Sequence, residues 1–345
     1  MNEPLRAKVT MLDVANHAKV SRTTVSFVLS GNTDAGISDE TRLRVQKAVS
    51  ELGYRPNASA RALASKESKL YGLITEIVTG PYAMDIVRGA QEQAALEGRM
   101  LLIASTDGTD KSERKAIEMM LEHRVAGLIY ATAWHRGVNL PDTISEVPAV
   151  LVHCFDQNGK LPSITPDERA GGHTAAMRLI DAGHRRIGMI NLDPTIPAAI
   201  GRREGYTFAL AQEGIALDEG LIINAGGEAD QGYQAAFSLL NAADPPTAIF
   251  CATDRMAMGA YDAIKERGLT IGEDVSVIGF DNQELISNYL RPSLTTIALP
   301  FREMAALGVR SLAEIASGNY GPVRETLVGC SLIERSSVGV PHRSR

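Results

Sequence analysis

Cysteine is scarce in this chain: Cys154, Cys251 and Cys330 are the three among 345 residues. They are far apart and odd in number, which argues against a disulfide framework and leaves them expected as small, semi-buried hydrophobes. No run of about 18 apolar residues occurs, so no membrane-spanning helix is expected. The amino terminus lacks the apolar stretch of a secretory signal, and the expected compartment is the cytoplasm. Catalytic signatures are missing too. The seven histidines (17, 123, 135, 153, 173, 184 and 342) form no H-E-x-x-H spacing. No G-x-S-x-G elbow, P-loop or Rossmann glycine fingerprint follows a strand-like run, and the carboxylates are not recognisably paired. His184, in Gly183-His184-Arg185-Arg186, ends a helix, where a cation suits the dipole; a structural role is expected for it. Neither catalysis nor a cofactor or metal is therefore expected. No leucine heptad follows Ser337, which argues against a helical tetramerisation tail, and Val338–Arg345 reads as a frayed tail.

What is present begins in the first sixty residues. Val9–Gly31, VTMLDVANHAKVSRTTVSFVLSG, reads as two short helices joined by a tight turn. Thr10 with Asp13 three residues on is a capping signature, and Val14, Ala15 and Ala18 share one face. Ser21 is a good N-cap for the second helix, where Val25, Val28 and Leu29 point inward. The other face carries Arg22, Thr23, Ser26 and Phe27. A helix-turn-helix reads base edges from its second helix: an arginine can pair two donors with guanine, and a threonine offers a hydroxyl and a methyl. The same pattern also suits a plain helical hairpin with a solvated face. A third helix is expected after Ser38, with Asp39 and Glu40 in its first turn, an apolar stripe of Val45, Ala48, Val49 and Leu52, and Gly53 as its stop.

Charge favours the DNA reading. Residues 1–66 hold 10 Lys/Arg and 6 Asp/Glu, a net of +4, whereas the whole chain is −6, so residues 67–345 carry −10. A basic amino-terminal module on an acidic body fits a DNA reader joined to a sensor. Pro56 then stops the chain, and Asn57 can cap a short Ala-rich helix over Ala58–Ala64, too short to persist alone in water. From Leu70 onward, apolar runs such as Tyr71–Ile77, Met100–Ala104, Gly127–Ala131 and Ala149–His153 alternate with helical patterns. The alternation restarts with Ile187–Asn191, Leu221–Ile223, Ala248–Cys251 and Val275–Phe280. Two such blocks imply two parallel sheets. Composition, 44% hydrophobic and 22% charged, is that of an ordinary globular protein, and the length allows two or three domains. Ligands of open α/β sheets bind beyond the carboxyl ends of the strands, which makes Asp281, directly after Phe280, a candidate.

The helix-turn-helix, the GYRPNASARAL segment at Gly53–Leu63 and the VSVIGFDN segment at Val275–Asn282 together resemble the lactose-repressor (LacI/GalR) family of bacterial transcription regulators, over nearly all of Val9–Ser337. The resemblance implies an all-α helix-turn-helix headpiece (1–56), a hinge helix and linker (57–69), and an α/β periplasmic-binding-protein-like sensor with two parallel-sheet subdomains (70–337), followed by a tail (338–345). Subdomain 1 would take about 70–161 and 289–320, and subdomain 2 about 162–288 and 321–337, with crossings near Leu161, Asn288 and Gly321. By the family pattern Thr10, Ser21, Ser26 and Tyr54 lie near phosphates, and Met11, Arg22, Thr23 and Phe27 at base contacts. Phe27 departs from the polar or basic side chain that many relatives carry. Asn57 and Ala60 match hinge positions in the minor groove, and Leu63 matches a leucine wedged between central base pairs.

For the sensor, the pattern implies an effector pocket with Tyr82, His153, Arg202, Thr253 and Asp281; Thr253 stands where many relatives have asparagine, and Asp254 is expected as a helix cap. Gly226-Gly227 occupies the place of a stacking aromatic, which weakens a nucleobase and leaves a sugar as the expected effector. The implied partners are double-stranded, near-palindromic operator DNA, a second copy of the chain, and that small molecule, with no membrane. Effector binding would rotate the subdomains and unpair the two hinge helices, so that operator affinity changes allosterically, the effector being an inducer by preference. Met119, Met120, Ile86 and Val87 are the candidate dimer contacts. The competing readings are a two-domain α/β enzyme with a helical appendage, and a binding protein without a DNA role.

Overall fold

A computed structural model describes residues 9–30, 35–55, 68–76, 83–322 and 324–341. The chain divides into two compact units, residues 1–68 and 69–345.

In the first unit, α1 (Met11–Ala18), α2 (Arg22–Leu29) and α3 (Asp39–Leu52) enclose a core of Val14, Ala15, Ala18, Val25, Val28, Val45 and Ala48. Their small side chains let three short helices close on one another. The capping box forms as expected: the Thr10 amide donates to Asp13 Oδ2 at 2.8 Å, and the Asp13 amide donates to Thr10 Oγ1 at 3.4 Å. Lys19, at φ 55°, turns the chain out of α1. The Ser21 hydroxyl accepts from the Thr24 amide at 3.0 Å to start α2. Arg44 Nε donates to the Ala18 carbonyl at 3.1 Å, tying α3 to the turn.

The second unit carries two six-stranded sheets. Strands β1 (Leu70–Thr75), β2 (Met100–Ser105), β3 (Leu128–Val138), β4 (Ala149–Asp156) and β5 (Ser163–Pro166) belong to the first. Strands β6 (Ile187–Asn191), β7 (Ile222–Asn224), β8 (Ala248–Cys251), β9 (Ser276–Asp281) and β10 (Thr295–Ala298) belong to the second. The last two, β11 (Glu325–Val328) and β12 (Ser331–Ile333), go one to each. Their orders are β11-β5-β4-β3-β1-β2 and β12-β10-β9-β8-β6-β7. Every pairing is parallel except β10 with β12, which is antiparallel.

These assignments correct the expected crossings. β5 pairs with β4, so the first crossing follows Pro166 rather than Leu161. β10 pairs with β9, which moves the second from Asn288 to beyond Ala298. β11 pairs with β5, which moves the third from Gly321 to beyond Val328. The cause is the brevity of these strands: four residues with polar members (SITP, TTIA, ETLV) carry too little apolar pattern to read as strands.

Three smaller expectations are also corrected, wholly or in part. Val338 is buried in the second sheet's core, and the Gly339 amide donates to Ser276 Oγ at 3.0 Å, so the start of the supposed frayed tail is packed. His184 is buried among Thr247, Ser276 and the Gly339 carbonyl. Burial lowers its pKa, so it serves as a neutral hydrogen-bonding strut, not as a cation at a dipole. Ile86 and Met120 are fully buried within this unit, which removes them as outward dimer contacts; Val87 and Met119 are half-buried against its cores.

Helices cover the sheets, and three pairs approach through glycine. α4 (Ala83–Leu96), α5 (Asp110–Glu122) and α11 (Phe301–Ala316) belong with the first sheet. α6 (Glu168–Asp181), α7 (Pro197–Gln212), α8 (Ala229–Leu240), α9 (Asp254–Glu266) and the short α10 (Glu284–Ser287) belong with the second. A Cβ on Gly205 of α7 would lie 2.1 Å from the Arg169 carbonyl, and one on Gly201 would lie 2.6 Å from Glu168 Cβ. Only glycine allows that separation, and it brings the start of α6 against the middle of α7.

Candidate functional site

Two surfaces carry the candidate residues. On the first unit, Ser21, Arg22, Thr23, Ser26 and Phe27 are exposed, while Val25 and Val28 one step away are buried. Phe27 is a large apolar ring held 38% exposed in water, a placement suited to an apolar partner. Thr10 is exposed at the start of α1; Met11 and Tyr54 are half-buried and pack on the three-helix core. Asn57, Ala60 and Leu63 lie outside the described residues.

In the second unit, charges are buried together. Arg202, on α7, donates from Nε to Glu168 Oε2 at 2.8 Å. Its Nη1 donates to the Ala252 carbonyl and lies 3.6 Å from Asp281 Oδ1, and its guanidinium carbon sits 3.8 Å from the Phe280 ring centroid. All three charged side chains are buried. Burial would raise the Glu168 carboxyl, but the adjacent Arg202 charge overcomes it and holds the group at about 2, so Glu168 is ionised. Asp281 (φ 107°) and Asn282 (φ 54°) adopt left-handed backbone conformations that cost roughly 1–3 kcal/mol each. Neighbours hold this turn: Arg335 donates to Asn282 Oδ1 at 2.8 Å, and the Gln283 amide donates to Asp254 Oδ2 at 2.7 Å.

The first sheet contributes two histidines through a bulge. Ala131 pairs with Val152 and Arg136 with Cys154, so residues 132–135 of β3 stand opposite His153 alone. The Thr132 hydroxyl donates to the Trp134 and His153 carbonyls at 2.7 and 3.0 Å. His153, itself at φ 61°, donates from Nδ1 to the Thr132 carbonyl at 3.1 Å. Burial pushes its pKa down to about 4, so the ring is neutral at physiological pH. The bulge throws His135 toward the second sheet's side, where Nδ1 lies 3.7 Å from Glu168 Oε1, beyond hydrogen-bonding distance.

Of the expected pocket residues, Arg202 and Asp281 therefore meet directly, and His153 lies one ring away through His135, their centroids 6.0 Å apart. Tyr82 lies outside the described residues. Thr253 acts on the backbone instead. Its hydroxyl accepts from the Met256 amide at 3.0 Å and donates to the Gly227 carbonyl at 2.9 Å, capping α9. Asp254, expected as that cap, is the first helical residue; it binds Gln283 and the Thr296 hydroxyl, and burial beside Asp281 raises its pKa well above the usual range. Sequence reasoning missed Glu168, His135 and Asn191. Asn191 ends β6, donating to the Ala199 carbonyl at 3.1 Å one turn before Arg202. The rule that ligands bind beyond strand ends, applied to Ile187–Asn191 as it was to Asp281, would have found it. Nothing local marks His135, whose position depends on the bulge. Among the described residues no His, Cys, Asp and Glu group could hold a metal, and no helix is long and apolar enough to cross a membrane.

Comparison with known proteins adds two family matches: "Bacterial regulatory proteins, lacI family" over residues 10–57 and a periplasmic binding protein-like domain over residues 176–338. The chain is 34% identical to the ribose operon repressor of Haemophilus influenzae, covering 88% of this chain and 91% of that protein. It is 33% identical to the transcriptional regulator GalR of Escherichia coli, with 96% of both covered. The crystal structure of the lac repressor dimer bound to operator and the anti-inducer ONPF superposes with a TM-score of 0.81 at 29% identity, over 96% of this chain and all of that one.

Proposed function

The chain belongs to the lacI family of bacterial regulatory proteins, DNA-binding regulators of transcription rather than enzymes, and on that premise we propose which of its residues read DNA and which hold the effector. As a homodimer in the cytoplasm, it reads a near-palindromic operator with Met11 of α1 and Arg22, Thr23 and Phe27 of α2. Thr10, Ser21, Ser26 and Tyr54 position the helices on the backbone. Two-fold protein symmetry then maps onto two-fold DNA symmetry. The Asn57, Ala60 and Leu63 positions contact the minor groove. The single observation that carries this reading is α2 itself: one face is buried to the last atom at Val25, and the other is entirely polar or aromatic and exposed.

The effector is a small metabolite, a sugar, held in the cleft by Arg202, Asp281 and His153, with Tyr82 as a further contact by the family pattern. Thr253 supports the pocket through its cap rather than by contact. Binding there changes operator affinity by coupling of about 1–3 kcal/mol, or 5–150-fold. A mobility-shift titration of the full chain on two-fold symmetric duplexes, with random duplex as competitor, tests the DNA reading. Affinity should fall steeply with salt and change on adding one sugar from a panel. Equal affinity for symmetric and random duplexes would remove the function proposed.

A further inference from the structure

Four polar atoms around the buried cluster lack hydrogen-bond partners: both ring nitrogens of His135, Glu168 Oε1 and Asn191 Oδ1. Glu168 and His135 are 4% and 9% exposed, and Asn191 is 1% exposed. Leaving such groups dry costs about 1–3 kcal/mol each, and native proteins keep few of them. They also come from both sides of the cleft. His135 stands on the β3 bulge of the first sheet, whereas Glu168 opens α6, whose Ala175, Ala176 and Leu179 pack into the second sheet's core. Glu168 Oε1 and Asn191 Oδ1 can only accept, while a neutral imidazole offers one donor and one acceptor. A hydroxyl oxygen about 2.8 Å from each group would bridge the 3.7 Å gap between His135 Nδ1 and Glu168 Oε1, donating to the carboxylate and accepting from the ring.

Charge narrows the ligand further. Arg202 has its Nε and Nη1 committed to Glu168 and Ala252, and its face covered by Phe280. The guanidinium is thus held by the protein, and the carboxylates of Glu168 and Asp281 flank it. An anion entering here meets two carboxylates and a cation whose Nε and Nη1 are already engaged. We propose that Glu168 and His135 are a specificity pair that reads one hydroxyl of an uncharged polyol across the cleft and rejects its phosphorylated counterpart. This rests on the reading of the cleft as the effector site.

The test uses the full chain, its sole tryptophan, Trp134, lying next to His135 in sequence. Melting temperature and Trp134 fluorescence are followed with D-ribose, D-galactose and cellobiose, and with ribose 5-phosphate and galactose 1-phosphate. At least one neutral sugar should raise the melting temperature, and its phosphate should not. Glu168→Gln, which keeps an acceptor for Arg202 but turns the other atom into a donor, should weaken that sugar about tenfold or more. His135→Phe should do the same and serves if Glu168→Gln fails to fold, with circular dichroism as the control. The pair is overturned if a sugar phosphate binds as tightly as its parent, if either folded variant binds like wild type, or if no neutral sugar binds. In that last case operator retention by the same wild-type sample still decides the DNA-reading function separately.

Discussion

The two units treat polar side chains in opposite ways. In the first, the core is entirely Val and Ala, and every candidate contact on α2 stands in water awaiting a partner. In the second, the candidate contacts are themselves buried, and Arg202 is paired between Glu168 and Asp281 inside the protein. A surface that reads a large polyanion needs only to be stiff and exposed, because the phosphates supply affinity from outside. A cleft that reads a small ligand must exclude water and fix its groups beforehand, so it accepts desolvation and backbone strain. Substitutions should therefore separate the units: a change in one should leave the other's reading intact.

The largest effect is expected from Val45→Asp. Val45 is fully buried in a core of seven small side chains, and an unpaired carboxylate there should cost more than about 3 kcal/mol, enough to unfold so small a bundle. Operator retention should vanish while the melt followed by Trp134 fluorescence, which belongs to the second unit, stays in place. A joint collapse of both signals would show that the units are not independent.

Glu168→Ala should come next. It removes the 2.8 Å partner of a buried guanidinium, and breaking a buried pair costs about 3–5 kcal/mol. Denaturant unfolding followed at Trp134 should report the loss, and circular dichroism should show the three-helix unit retained. A loss below about 1 kcal/mol would mean that Arg202 finds another carboxylate on relaxation.

The contrast also explains what could be read in advance. The three helices of the first unit are legible almost residue by residue, because Thr10, Ser21, Ser38 and Gly53 are caps whose partners lie within a few positions. The alternation of the second unit was legible wherever strands are long and apolar, as at Ile187–Asn191. What escaped was non-local. Glu168 and Arg202 are 34 residues apart, His135 reaches Glu168 through a bulge that no periodicity announces, and the four-residue strands β5, β10 and β11 gain their identity from neighbours. Asp281 is legible because it ends a long apolar strand; Glu168 lies just beyond a strand too, but that strand is SITP.

On the exposed side, Arg22→Ala should weaken operator binding by about 1–3 kcal/mol and relax preference at one base step. Arg22 is exposed, so the melting temperature should not move by more than a degree or two. A filter-binding series over single-base operator variants checks it. Uniform weakening across all variants, with a reduced salt slope, would instead make Arg22 a phosphate contact.

The most gradual expected effect is a pH dependence of the second unit through His153, small near neutrality and growing as pH falls. His153 titrates at about 4 in the folded chain against an ordinary 6.5. The unfolded chain therefore binds more protons between those values, and stability should fall as pH drops through that window, by at most about 1.4 kcal/mol per pH unit. His184 is lowered as well and adds in the same direction. Asp254, raised by burial, acts oppositely, since its folded form keeps a proton that the unfolded form releases. Glu168 loses its contribution at lower pH, from its ordinary 4.5 toward about 2. The slope of wild type alone thus mixes signs, and the informative quantity is the difference between wild type and His153→Gln. That difference should be flat above pH 7 and grow as pH falls from 6.5 toward 4, with the variant becoming relatively more stable. The three-helix unit of both proteins should show no such difference. A difference that is flat across the whole range would mean that His153 is protonated in place, with the bulge opening to admit water.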